Sequence, residues 1–268
     1  MTFFDWLFGG IENPAIQGQW GPVHISIMLL CVACIVGFYF LVRHAKNKEK
    51  TRKVILYTLS GSVLFFEVTI RIVNLLKRFV FHIEDYVSDL SAFEILIPRP
   101  WCAISCWLLI ACVFVNKKFF YNFASLSALL CSAIFFAYPG VGFNSQYLLF
   151  DNWYSILTHA LLLTTSITLI VLKFTDFKYK DFWKVALGFI ATFAYGFIEV
   201  FLFKSYSDPM YFMPNGDIQA GILKISYGLY LFLYITLIVV YVNVFYLIGD
   251  KANVKNFFQK VKGKLHKK

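Results

Sequence analysis

Apolar residues run along this chain in seven long blocks, separated by short polar segments that hold most of its charge. Each block reaches about 20 residues, the length at which a helix crosses ~30 Å of bilayer hydrocarbon. They predict transmembrane helices over residues 23–42, 54–76, 97–115, 119–138, 153–172, 182–203 and 222–248. Ahead of them, residues 1–22 carry Asp5 and Glu12 but no Lys or Arg, so the basic start of a signal peptide is missing. Phe3, Phe4, Trp6, Leu7 and Phe8 predict instead a short segment lying in the membrane interface. The chain therefore divides into an interfacial, extracellular segment (1–22), a seven-helix transmembrane domain (23–248) and a basic tail (249–268).

The polar segments alternate in sign, and this sets the expected orientation. Arg43, Lys46, Lys48, Lys50, Arg52 and Lys53 follow the first block, Lys117 and Lys118 the third, and Lys173, Lys178, Lys180 and Lys184 the fifth. A Lys-rich tail follows the seventh. Basic loops stay in the cytoplasm. The other set is poor in Lys and Arg: the N-terminus, the Glu84/Asp85/Asp89/Glu94 segment, an uncharged loop at 139–146 and a loop at 208–217. The expectation is an all-α membrane protein with its N-terminus outside and its C-terminus inside, multi-pass in the cell membrane.

Composition agrees. With 59% hydrophobic and 15% charged residues and a mean hydropathy of +0.67, polar side chains are too few to cover a water-soluble globule. A net charge of +10 would point to nucleic acid if it formed one face, but its clusters sit at helix ends, where topology explains them. Nucleic acid is not an expected partner. The tail reads as a solvated extension that meets anionic lipid. The six cysteines (31, 34, 102, 106, 112 and 131) all lie inside apolar blocks, so they are no disulfide framework. Cys31-x-x-Cys34 is half of a metal site with no second half. No metal or cofactor is implied.

Ionisable residues at membrane depth are costly and therefore informative. Glu67 and Arg71 stand one helical turn apart in the second block, a spacing that lets them neutralise each other. They read either as a structural pair or as the wall of a polar pocket for a lipid headgroup. Given the orientation above, Glu67, Arg71 and Asn74 fall in the outer half of the membrane. So do Cys102, Cys106, His159, Glu199, Lys204 and, at the start of the first helix, His24. Cys102 and Cys106 share one face of the third helix, which opens on Pro98-Arg99-Pro100-Trp101. Cys102 is either a small core hydrophobe or a nucleophile whose thiolate a helix N-terminus and an imidazole would favour. His159 either bonds a neighbouring helix or serves as that base. Ser105 and Thr158 are nearby hydroxyls, substitutes or hydrogen-bond partners for these groups.

Pro98-x-x-x-Cys102, Phe119-Phe120-Tyr121 followed by a small-residue helix, and Ser155-x-x-x-His159 together resemble the bacterial YwaF-type membrane proteins. They also resemble the TMEM-type ether-lipid acyltransferases related to those proteins and, more distantly, the androgen-induced-type lipid hydrolases. The likeness runs from Trp20-Gly21-Pro22 and His24 through Glu67 to His159. It implies that Cys102 and His159 form a catalytic pair. Two positions depart from the family: Pro100 stands where a His precedes the Cys, and Tyr206-Ser-Asp-Pro209 replaces an Asn-Tyr and Lys-Pro signature.

The activity implied is a membrane-embedded lipid acyltransferase or hydrolase acting on phospholipid acyl chains. His159 takes the thiol proton, Cys102 attacks the ester, and an acyl-thioester forms. Arg71 and Arg99 would hold the phosphate. Membrane phospholipids are the expected partners. The alternatives are a catalytically silent seven-helix scaffold with partner proteins in a membrane complex, or a small-solute transporter. A transporter would show broken helices and related halves, and no half-repeat is visible.

Overall fold

A computed structural model describes residues 2–8, 20–85, 87–137, 143, 149–203, 210–214 and 223–250. The expected basic tail at 251–268, Lys204, Tyr206–Pro209 and, apart from Phe143, the 139–146 loop lie outside the described residues. Those residues form helices and no strands, in the order α1 (Phe3–Phe8), α2 (Pro22–His44), α3 (Lys48–Phe79), α4 (Ala92–Leu96), α5 (Trp101–Ala111), α6 (Lys118–Ala137), α7 (Phe150–Val171), α8 (Phe182–Ile198) and α9 (Tyr227–Gly249). A single turn at Tyr179–Asp181 precedes α8, and a π-helical turn at Glu199–Phe203 continues it. Six helices are long and apolar enough to cross a membrane, which makes this a membrane protein by its fold.

The predicted span at 97–115 holds a helix over Trp101–Ala111 only. Eleven residues rise about 16 Å, roughly half of the ~30 Å hydrocarbon thickness. The prolines explain the late start. Pro98 and Pro100 push Ile97 and Arg99 out of helical geometry, and Ile97 and Pro100 are extended, at ψ 149° and 155°. α3 errs the other way. At 32 residues it is about 48 Å long, because Asn47 caps it by accepting from the Lys50 amide at 3.0 Å and starts it before the apolar block. The acidic segment before α5 is ordered too: Ser91 and Glu94 form a reciprocal capping box at the start of α4.

α6 is the centre of the bundle, packed by α5, α7 and α8. Its most apolar stretch is 72% buried, against 17% for α2 and α9. Asn122, Ser125, Ser127 and Ser132 are all fully covered there, and small side chains of this kind let helices approach closely in lipid. Trp101 Nε1 donates to Ser127 Oγ at 2.8 Å and Ser105 Oγ meets the same oxygen at 2.8 Å, stitching α5 to α6. A row of tyrosines secures the outlying α9. Tyr227 and Tyr234 donate to the carbonyls of Phe212 and Met210 at 3.0 and 2.7 Å, Tyr230 donates to that of Tyr211, and Tyr241 reaches Leu126 O on α6 at 2.9 Å.

The two ends of the bundle differ. At one end Lys118 Nζ donates to the carbonyls of Lys173 and Phe174 at 2.9 and 2.8 Å, Arg52 lies over the Phe174 ring, and Asp250 accepts from the Tyr179 amide at 2.9 Å. The segments after α2, α5, α7 and α9, where Lys and Arg concentrate, thus lie together. At the other end α1 rests on the turn after α3 and on the start of α7, through Phe4 and Phe8 against Phe81 and Trp6 against Phe150. The aromatic residues 3–8, expected as a short segment, form a helix here.

Candidate functional site

The second half of α3 carries a buried ion pair. Glu67 is fully covered, and Arg71, one turn on, donates from Nη1 to Glu67 Oε2 at 2.6 Å. The same nitrogen bonds the Glu67 carbonyl at 2.8 Å, while Nε donates to Leu96 O at the end of α4 at 3.0 Å. The guanidinium also lies over the Trp107 ring. From α7, Tyr154 donates its hydroxyl hydrogen to Glu67 Oε1 at 2.8 Å. Both carboxylate oxygens are therefore engaged. Hydrogen bonds of this number and geometry are what a buried ion pair needs to offset desolvation.

The two thiols of α5 face this pair. Cys106 is fully covered and Cys102 partly so, and the Glu67 carboxylate acts electrostatically on both. Ser105, between them, bonds Ser127 and contacts the Cys131 sulfur at 3.5 Å. That gives Ser105 a structural place against α6.

His159 is positioned separately. Its ring stacks on Phe135 with centroids 3.8 Å apart and planes within 6°, and Nδ1 lies 2.7 Å from Ser155 O. A carbonyl only accepts, so Nδ1 carries the hydrogen and Nε2 of the neutral ring keeps its lone pair. Among the described residues no hydrogen bond joins Cys102 to His159. Thr158, beside it in sequence, has its hydroxyl buried without a partner.

The remaining expected residues fall into two further groups. Glu199 opens the π-helical turn, fully covered, and neither carboxylate oxygen has a hydrogen-bond partner among the described residues. Arg99 acts on it electrostatically, and nearby Tyr195 gives its hydrogen to Pro98 O at 2.9 Å. Arg71 and Arg99 both act on Tyr195, so the Glu67 and Glu199 groups adjoin through it. His24 sits instead among Trp20, Phe136 and Phe143, its ring nitrogens buried and without a hydrogen-bond partner among the described residues. Phe135 touches both Phe136 and Phe143, so an aromatic patch links His24 to His159. Asn74, on α3, has its carbonyl oxygen buried without a partner.

Three participants escaped the sequence reading. Tyr154 and Trp107 look like ordinary interface aromatics until the fold sets them against Glu67 and Arg71. Lys77, just past the predicted end of the second span, is 2% exposed and pairs with Asp85 at 3.3 Å and Asp151 at 2.7 Å. An acid at the first turn of α7 was the one available signal for it.

No family model matches the chain, and neither does any curated protein or solved structure. Among the described residues no group of three or more His, Cys, Asp or Glu could hold a metal ion.

Proposed function

We propose that this protein is a seven-span lipid acyltransferase or hydrolase of the cell membrane, with its N-terminus outside, that uses Cys102 as nucleophile and His159 as base. The observation that carries the reading is the polar layer inside an apolar bundle, where Glu67, Arg71 and Tyr154 meet the thiols of α5. Residues 112–117 continue α5 toward the basic end, where Val113 and Asn116 share a cavity wall with Arg52 and Lys118. This supports a seventh crossing made by a helix plus extended chain. The alternation of basic and acid-rich ends supports the orientation.

In the reaction, the Cys102 thiolate attacks the carbonyl carbon of a phospholipid ester. The acyl group forms a thioester, and the lysolipid alcohol leaves with the proton that His159 Nε2 received. A second alcohol or water then takes the acyl group. Because no direct hydrogen bond joins thiol and imidazole, the proton passes through a water or a lipid hydroxyl, or α5 shifts toward α7 when lipid binds. Arg99, which acts electrostatically on the buried Glu199, is the arginine assigned to the phosphate of such a lipid.

A second reading is a catalytically silent seven-helix subunit of a membrane complex. The full engagement of Glu67 and the separation of Cys102 from His159 favour it. Intact mass of purified protein after incubation with mixed phospholipids decides between them, wild type beside Cys102→Ser and His159→Ala. A hydroxylamine-labile acyl adduct on wild type alone, with lysolipid released, is the expected result. Folded protein that forms neither product in any version establishes the silent subunit.

A further inference from the structure

At the basic end, away from the polar layer, a cavity of about 370 Å³ opens between the start of α3, the segment between α5 and α6, and the end of α7. Its volume is within the ~300–1,000 Å³ range of small-molecule sites. Arg52, Lys53 and Lys118 line it with a single carboxylate, Glu49. Both Glu49 oxygens are already approached, Oε2 by Arg52 at 3.1 Å and Oε1 by Lys53 at 4.0 Å. Another nearby acid, Asp176, is held by Lys178 at 2.8 Å.

Donors therefore exceed acceptors. Arg52 lies 4.6 Å above the Phe174 ring, which fixes its plane, and its Nε is buried with no partner among the described residues. Lys118 spends two of its three N–H groups on the carbonyls of Lys173 and Phe174, leaving one. Tyr121 gives its hydrogen to Asn116 Oδ1 at 3.3 Å, which leaves the Asn116 amide hydrogens for a ligand. A planar guanidinium, two ammonium groups and an amide around one basin suit an oxyanion with several acceptor oxygens. Leu56 and Tyr57 complete the wall, Tyr57 half exposed on the surface of a spanning helix. Apolar surface thus adjoins the donors where acyl chains would lie.

We propose that this basin binds a phosphate-bearing anion, the headgroup of an acidic phospholipid of the cytoplasmic leaflet. It is independent of the chemistry proposed for Cys102. Purified full-length protein in detergent is titrated with dihexanoyl phosphatidic acid, dihexanoyl phosphatidylcholine and inorganic phosphate, with occupancy read by native mass spectrometry. Phosphatidic acid binds more tightly than phosphatidylcholine, and Arg52→Gln or Lys118→Gln weakens it about five-fold each, the scale of one basic residue at an anionic surface. Phosphatidylcholine binding stays unchanged in both, and Lys46→Gln, an exposed basic control outside the cavity, leaves every affinity as in wild type. Lys53→Gln, whose one ion pair among the described residues is the 4.0 Å contact with Glu49, gives the same loss without touching the carbonyls that Lys118 holds. Equal binding of the two lipids overturns the proposal, as does an equal loss in Lys46→Gln. Inorganic phosphate that displaces phosphatidic acid at matched concentration assigns the basin to a soluble anion and overturns the lipid headgroup.

Discussion

Replacing Arg71 by Met strips the fully buried Glu67 carboxylate of its counter-ion and leaves only the Tyr154 hydroxyl to stabilise it. Breaking such a pair from one side costs about 3–5 kcal/mol, because an uncompensated charge remains in low dielectric. For a chain of this size that lowers the melting temperature by roughly 6–20 °C. Glu67→Gln keeps an acceptor for Tyr154 but leaves the Arg71 charge with two carbonyls and the Trp107 ring. The double variant holds no buried charge at this site, so it is more stable than Arg71→Met by itself. Leu96 O loses its donor in both Arg71 variants, so that loss cancels in the double-mutant cycle and the remainder is the ion-pair coupling. Thermal unfolding of detergent-solubilised protein, followed by tryptophan fluorescence, measures all four forms. Additive single effects, or an Arg71→Met melting point within about 2 °C of wild type, would refute the idea that this pair is a tightly coupled buried unit.

Lys77→Met lowers the melting temperature more than Asp151→Asn, measured in the same assay, because the lysine is 2% exposed whereas Asp151 is 36% exposed and partly screened by water. Gly249→Ala destabilises by about 1–3 kcal/mol, since its Cβ would meet Phe177 Cβ at 2.6 Å and Phe177 O at 3.0 Å. Gly37→Ala on α2 meets nothing within 4 Å and is neutral or stabilising by up to about 1 kcal/mol; the two melting curves move apart. Asp5 accepts from the hydroxyl and amide of Thr2, and these bonds, the hydroxyl's first, hold its carboxyl below the ordinary 3.8. The folded value being the lower one, its contribution to α1 is present above pH 3.8 and disappears as acid carries the pH through that lower value. Trp6 fluorescence follows the change, and Thr2→Val, which loses the hydroxyl's bond and keeps the amide's, reduces its dependence on Asp5.

Apolar runs alone placed every long helix, since crossing lipid demands length and hydropathy that no other pattern mimics. The local spacing of Glu67 and Arg71 likewise announced their ion pair, because residues four apart on a helix must share a face. Where the reading fell short, the cause was either local stiffness or distance along the chain. Pro98 and Pro100 shorten α5 in a block whose hydropathy gives no warning. Tyr154 lies 87 positions from the carboxylate it serves, and nothing in one dimension ties the two. The sequence put five helices' polar groups at one depth; packing divides them into the Glu67 layer, the Glu199 group and the aromatic patch between His24 and His159.

The contrast between α6 and its outlying neighbours bears on how the protein tolerates mutational drift. A lipid-facing helix such as α2 or α9 needs only to stay greasy, so one aliphatic residue can replace another across most of its length. α6, with its buried serines and asparagine, admits few replacements at any position. In a saturation mutagenesis screen for surface expression, the exposed helices α2 and α9 should be the most forgiving and α6, the most buried of the spanning helices, the least.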